Sequence, residues 1–227
     1  MKEPLSEEVL MHIACQLSKP EGADGILTAE RMAHTNNNMT NAAIKALNIS
    51  GKNVILEIGP GNGSHVRSVT GVATDLHYYG VDISDTMVAE ARKINADLVA
   101  TGKVSFELTA ADKLNFSDNF FDRIFTVNTL YFWERPILYA QEIRRVLKPD
   151  GLFCLAIATE EFMKGLPFTK YKFKLYNTTS VEELLIAAGF SLVTITEQKD
   201  LTSSHTGEVV NRDIILVTAK KNKNFIS

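Results

Sequence analysis

The chain is poor in everything that cross-links a fold covalently or through metal. Its 227 residues include two cysteines and one tryptophan. Cys15 and Cys154 lie far apart in apolar company, which reads as two reduced, buried thiols and excludes a disulfide framework. The histidines His12, His34, His65, His77 and His205 are scattered, so no metal site is expected. No apolar run approaches the roughly 18 residues that a membrane helix needs, which argues against membrane insertion. The start, Met1 to Lys19, carries Glu3, Glu7 and Glu8 and has no unbroken apolar stretch, so it does not read as a signal peptide and a cytoplasmic location is expected. Positive charge is not in excess either. With 24 Lys and Arg against 27 Asp and Glu, the net charge of −3 offers no broad basic face, and no nucleic-acid partner is expected.

What is present is an ordinary globular composition, 45% hydrophobic with 13 glycines, in a chain long enough for one core. The first fifty residues form a helical prelude. Helices are expected at about Leu5–Leu17, with Ser6 as N-cap, and at about Thr28–His34 and Met39–Leu47, with the polar run Thr35-Asn36-Asn37-Asn38 between the last two. Lys19-Pro20-Glu21-Gly22 ends the first. After Gly51 short β-rich apolar runs alternate with amphipathic stretches. Strands are expected at Asn53–Ile58, His77–Val81, Lys103–Leu108, Phe121–Val127 and Leu152–Ala158. Helices are expected at His65–Gly71, from Ser84 to about Thr101, and from Arg135 to Leu147, where Lys148-Pro149-Asp150-Gly151 sets a turn. A loop-rich, aromatic insertion from Glu160 to Thr179 precedes a helix at Ser180–Ala188. Two last strands, about Phe190–Glu197 and Asn211–Ala219, are separated by the polar stretch Lys199–Glu208, a link short enough to favour antiparallel pairing. The pattern predicts a doubly wound, mostly parallel α/β sheet with helices on both faces.

The chemistry concentrates in Glu57-Ile58-Gly59-Pro60-Gly61-Asn62-Gly63-Ser64, where an apolar strand runs into a glycine-rich turn and then a helix. Glycines there allow positive φ and close backbone approach, and the helix start offers free N–H groups, so the segment reads as a nucleotide cradle rather than a plain turn. A dinucleotide fingerprint reads G-x-G-x-x-G or A, but the sixth position from Gly59 is Ser64, and the third glycine, Gly63, comes one residue early. Glu57 would also repel a pyrophosphate while suiting a cationic amino-acid group.

These residues resemble motif I of the class I S-adenosylmethionine-dependent methyltransferases, whose pattern is E/D-x-G-x-G-x-G. The likeness continues through Gly80-Val81-Asp82-Ile83-Ser84, Ala110-Ala111-Asp112, Phe121-Asp122-Arg123-Ile124-Phe125 leading to Asn128, and Glu142-Ile143-Arg144-Arg145-Val146-Leu147-Lys148-Pro149-Asp150-Gly151, and it is similar to the methyltransferase type 11 subgroup. The resemblance implies a Rossmann-like, seven-stranded sheet with an antiparallel last strand, a methyltransferase domain over 51–227, and an N-terminal helical lid or extension over 1–50. It implies S-adenosylmethionine as cofactor, held by Glu57, Gly59, Gly61, Asn62, Gly63, Asp82, Ile83, Met87, Ala111, Asp112 and Asn128. Asp82 would accept from the ribose hydroxyls and Asp112 from the adenine amino group. Ile83 and Met87 would flank the adenine, or equally pack in the core. His34, Asn38 and Met39 would belong to the lid, or to a solvated capping loop. Tyr131 and Trp133 would meet substrate, whereas Phe132 reads at least as well as packing beneath the next helix.

Methyl transfer needs alignment and dryness more than a catalytic triad. His34, His65 and Tyr131 are the site-adjacent candidates for a general base. Phe162, Met163, Phe168, Tyr171 and Phe173 suggest an apolar lid and a small, lipophilic acceptor. The expected protein is a monomer or homodimer acting on a small molecule. A nicotinamide-dependent oxidoreductase and a non-catalytic module that retains the cradle are the alternatives.

Overall fold

Val54–Ile58 (β1) is buried from Ile55 onward, and its alternating side chains divide the core into two layers. Leu56 and Ile58 join one cluster with Ile124, Phe153 and Leu155, and Ile55 joins the other with Met39, Val66 and Ala91. A strand apolar on both faces must lie inside a sheet covered on both sides. The computed structural model describes residues 5–203 and 208–221, so His205 and the first residues, including Glu3, lie outside the described chain.

The elements run α1 (Glu7–Ser18), α2 (Gly22–Thr35), α3 (Asn37–Ala46), β1, α4 (Val66–Thr70), β2 (His77–Asp82), α5 (Asp85–Ile94), α6 (Ala96–Ala100), β3 (Val104–Leu108), β4 (Phe121–Val127), α7 (Pro136–Val146), β5 (Leu147–Ala158), α8 (Glu160–Lys164), α9 (Thr178–Ala187), β6 (Ser191–Ser203) and β7 (Val209–Lys220). The strands form one seven-stranded sheet in the order β3-β2-β1-β4-β5-β7-β6. Pairings from β3 to β5 are parallel, and β7 runs antiparallel to both β5 and β6. The strand order reverses between β1 and β4. Their carboxyl ends therefore open the crevice where such sheets hold ligands.

Caps behave as the residue types require: the Ser6 side chain accepts from Val9 N, and Ser84 Oγ accepts from Met87 N. Several boundaries differ from the expectation. α2 begins at Gly22, not near Thr28, because Gly22 takes φ +64° and lets the chain turn directly into a helix after Pro20. The polar run Thr35–Asn38 is no loop: Asn36 alone separates α2 from α3. The helix starting at Ser84 breaks at Asn95, whose Nδ2 donates to Gly63 O and Ala91 O at 2.9 Å each and so ties the break to the glycine loop. β5 begins at Leu147 and runs through Pro149-Asp150-Gly151 with an irregular register against β4, whereas those residues alone read as a turn. Of the polar stretch Lys199–Glu208, residues 199–203 continue β6. Lys199 meets Asp213 at 2.8 Å, and charged cross-strand partners keep a polar hairpin paired.

The prelude is not a separate layer. Met39, Ala43, Ile44 and Leu47 of α3 and its end pack into the sheet core, and Arg123 Nε donates to Leu47 O at 2.7 Å. α1 and α2 lie further out, towards the crevice.

One close approach holds the central strands and the glycine loop together. A Cβ built on Gly80 would meet the Phe106 ring at 2.7 Å and Pro60 Cγ at 3.0 Å, both inside packed core. Gly80→Ala is therefore expected to lower unfolding stability by about 1–3 kcal/mol through overpacking. Chemical denaturation of parent and variant measures this, and an unchanged midpoint would contradict the packing described.

Candidate functional site

A cavity of about 160 Å³ opens at the carboxyl ends of β1, β2 and β4 and is covered by the turn between α1 and α2. The strand ends supply Glu57, Gly59, Gly61, Asn62, Asp82, Ile83 and Asn128; Ala111 comes from the loop after β3, and Trp133 from the segment after β4. These sequence-predicted residues converge on one space. The covering turn is anchored to the start of α5, where Ser84 Oγ donates to Pro20 O and Gly22 N donates to Thr86 Oγ1. Leu17, Ser18 and Pro20 thereby become part of the lining. In sequence, Pro20 signals only the end of a helix.

Backbone geometry explains the glycines. Gly59 and Gly61 take φ of +73° and +57°, and a Cβ on Gly59 would fall 2.5 Å from Thr129 Cγ2. Nothing lies within 4 Å of the Cβ direction at Gly61, which is the open, ligand-facing side of the cradle. Gly63 does not line the cavity and accepts the bond from Asn95 instead.

Asp82 ends β2 with both carboxylate oxygens partly used: Oδ1 accepts from Ser84 N at 2.9 Å and Oδ2 from Gly61 N at 3.2 Å. A carboxylate has about four acceptor sites, so capacity remains for two hydroxyls. Burial pushes the Asp82 carboxyl up to about 6, against the opposing pull of these backbone N–H groups.

Glu57 is 2% exposed and is compensated on its own sheet face. Tyr78 OH donates to its Oε2, and His65 Nε2 lies 2.7 Å from the same oxygen. Burial works to lower the His65 pKa, yet the Glu57 charge and hydrogen bond outweigh it and hold the imidazole above its usual value. Burial and the Glu57 carboxylate together push the Tyr78 phenol well above its ordinary range.

The β4 end of the cavity is built around Asn128, which has φ +57°. Its Nδ2 donates to Asn36 Oδ1 at 3.0 Å and approaches Met39 Sδ at 3.6 Å, and its Oδ1 accepts from Tyr131 OH at 3.3 Å. Asn36 Oδ1 also accepts from Arg212 Nη1 at 3.1 Å, and Arg212 Nη2 donates to Thr35 O at 3.0 Å. Arg212 is paired with Asp200 across the β6–β7 hairpin, with both side chains buried. A buried ion pair in the distal hairpin thus grips the α2–α3 junction beside Asn128. Nothing in the local sequence around Arg212 announces it.

Other expected residues sit elsewhere. Met87, which read equally as flanking the adenine or packing in the core, is fully buried and does not line the cavity, because α5 turns it inward. Asp112 also lies outside the lining; its carboxylate pairs with Arg135. His34 and Asn38 line a separate open depression beside Leu201, and Asn38 Nδ2 donates to Leu201 O at 2.8 Å. Met39 is buried behind Asn128. Tyr131 is also behind the wall: its hydroxyl donates to Ala158 O at 3.0 Å, and burial raises its pKa, which removes it as a base facing the cavity. Phe132, expected beneath the helix, lines the cavity instead, with Tyr139 stacked on Trp133 at 5.3 Å. The aromatic insertion backs this wall rather than lining it. Phe173 packs on Phe132 at 4.6 Å, and Met163 lies in the sheet core.

The lining includes Glu57, His65, Asp82 and Tyr139 as titratable groups and no lysine or arginine among the described residues. Two carboxylates and a glycine cradle fit a nucleoside bearing positive charge and do not fit a diphosphate bridge. Among the described residues no metal-binding cluster forms and no helix is long and apolar enough to cross a membrane.

A glycine loop and a buried carboxylate at the switch point of a sheet with this strand order are the features of a Rossmann-like methyltransferase fold. Comparison with known proteins agrees. Residues 56–155 match the family described as "Methyltransferase domain". The chain is 26% identical over 130 residues to an uncharacterized methyltransferase, YdaC, of Bacillus subtilis, covering 57% of this chain and 70% of that one. It is 24% identical over 178 residues to the O-methyltransferase resE of Aspergillus sclerotiorum, covering 75% and 67%. A solved SAM-dependent methyltransferase from Aquifex aeolicus superposes with a TM-score of 0.64 at 19% identity, over 85% of this chain and 93% of that one. Residues 56–155 thus form a methyltransferase domain, and the chain is a SAM-dependent methyltransferase enzyme, with S-adenosylmethionine as its cofactor.

Arg212→Met would leave the Asp200 carboxylate buried without its cation. Unfolding stability is expected to fall by about 3–5 kcal/mol, with Asp200→Asn plus Arg212→Met recovering part of the loss. Denaturant melts of the three proteins check this, and a loss below about 1 kcal/mol for the single variant would show that the pair is not truly desolvated.

Proposed function

We propose that the enzyme methylates a small, largely apolar acceptor by in-line displacement, with the acceptor entering against Phe132 and Trp133. The observation that carries this reading is the lining: its carboxylates, Glu57 and Asp82, sit at the β1 and β2 ends, and the wall after β4 is aromatic. The O-methyltransferase relative supports an oxygen acceptor. The cofactor, when bound, supplies a methyl group already activated on a sulfonium centre.

The chain's own residues then have three tasks. The cradle Gly59–Gly61 and Asn62 holds the ligand's amino-acid end near Glu57, and Asp82 accepts from the ribose hydroxyls. Ile83 and Ala111 border the adenine. Asn128, held by Asn36 and Tyr131, orients the reacting end, and the α1–α2 turn over Leu17 and Pro20 excludes water. The three candidate bases all have other engagements or face elsewhere, which supports an acceptor that reacts without a dedicated protein base or with proton loss to solvent.

Asp82→Ala is expected to weaken S-adenosylhomocysteine binding by at least about 1.5 kcal/mol, the low end for hydrogen bonds to a charged group. Because the Asp82 carboxyl titrates at about 6, parental affinity should fall as pH drops below that value, where the protonated form loses acceptor capacity, and the variant should lack this acid limb. Calorimetry across pH measures both, and equal affinities for parent and variant would remove Asp82 from the ribose site. Transfer of labelled methyl to a panel of phenols and charged amines tests the acceptor class; turnover confined to highly charged acceptors would overturn it.

A further inference from the structure

We propose that His65 is the partner of the ligand's carboxylate, so that Glu57 and His65 together read the α-amino-acid zwitterion as a matched pair of charges; this rests on the S-adenosylmethionine reading of the cavity. The methionine end of that ligand carries an ammonium and a carboxylate. Glu57 can meet the ammonium, and Asp82 is committed to the ribose. The carboxylate needs a cation or strong donors, and a buried carboxylate left without them is costly. No lysine or arginine lines the cavity among the described residues, and His65 is the lining side chain able to carry positive charge.

His65 is also held for this task. It precedes α4, with its side chain 17% exposed towards the cavity, and its Nε2 is fixed 2.7 Å from Glu57 Oε2. Tyr78 OH, from the adjacent strand β2, donates to that same Glu57 oxygen, which limits how the carboxylate can turn. Glu57 Oε1 and His65 Nδ1 make no hydrogen bond among the described residues. A protonated imidazole is a donor at both nitrogens, so Nδ1 can serve a second anion while Nε2 keeps Glu57. The titratable groups near the pair are Tyr78 and Asp82 on β2, with Glu57 itself on β1. The cavity faces of α2, α3 and the β4 end contribute Met32, Asn36, Thr40 and Asn128, none of which is charged. The Glu57 charge favours the imidazolium, as the raised His65 pKa reflects.

The arrangement predicts selectivity for the intact amino-acid end. S-adenosylhomocysteine and 5′-methylthioadenosine share the adenosine thioether, and only the first carries the zwitterion. Calorimetry on the full chain, with parent and His65→Gln, compares them from about pH 6.5 to about pH 9. Glutamine keeps a donor for Glu57 but carries no charge. At the acid end the variant should bind S-adenosylhomocysteine about tenfold more weakly, a loss of about 1.4 kcal/mol, and methylthioadenosine within about twofold of parent. The parent's advantage for S-adenosylhomocysteine should shrink as pH rises through the imidazole range and beyond, since the raised His65 pKa means the cation is lost only there. Retained methylthioadenosine binding shows that the variant is folded. Equal losses for both ligands, no loss for either, or an advantage that grows with pH would each overturn the assignment, the last because it signals an ammonium displacing the His65 proton. Failure of both ligands to bind the parent at all would instead bring down the underlying cofactor reading.

Discussion

A carboxylate at the end of the central strand, 2% exposed, constrains everything around it. Glu57 shares its sheet face with Ile55, and that face is covered by α3, α4 and α5. A buried charge there is tolerable only with partners close by. Tyr78 comes from the adjacent strand, and His65 comes back from the far side of the glycine loop. The loop from Gly59 to Ser64 is thus clamped at both ends by one oxygen atom. The same charge gives the crevice its character, because an acidic floor with two carboxylates welcomes a sulfonium and an ammonium and repels phosphate.

Around that floor the chain brings together segments with little local reason to meet. The α1–α2 turn reaches the start of α5 through Pro20 and Ser84, which roofs the β2 side of the cavity. At the other side the β6–β7 hairpin extends past the sheet, and its buried Arg212 meets Asn36 and Thr35. Asn128 is thereby held from the N-terminal helices, from Tyr131 and, through Asn36, from the last strand pair. Fixing a side chain from three directions restricts its rotamers and holds it in one position at the cavity wall. Cys154, by contrast, is chemically silent: burial in the sheet raises its thiol to about 12.

Much of this was legible along the chain, and the reasons are local. Short apolar runs such as Val54–Leu56 and Leu152–Ala158, alternating with amphipathic stretches, fit interior strands covered on both faces, so the layered sheet followed from periodicity. Glycines at 59 and 61 signalled positive φ and close approach, since only glycine takes those positions without strain. Asp82 was readable because the end of a second strand in such a sheet points into the crevice. Where the reading failed, two placements were equally compatible with the local pattern. Met87 and Ile83 both fit α5 or the loop before it, and the helix phase put one inside and the other at the cavity. Tyr131 and Phe132 exchanged roles because the short turn at Leu130–Phe132 set which ring faces inward. The Pro149–Gly151 turn is carried inside β5 because the residues on either side of it pair with the sheet, Leu147 with Phe121 and Leu152 with Arg123 and Lys220, while Asp150 N donates to Lys221 O, and local propensity cannot anticipate partners so distant in sequence.

The amino-acid sequence alone determined the sheet class, the nucleotide cradle and the acidic sign of its floor, because strand periodicity, glycine spacing and charge are properties of neighbouring residues. Tertiary structure decided that Glu57 would be matched by His65 and Tyr78, that Arg212 would anchor Asn36, and that Asp112 would turn away to Arg135. Those pairings join residues distant in sequence. They exist because burying a charge requires a partner within hydrogen-bond reach, and only the packed fold brings that partner close.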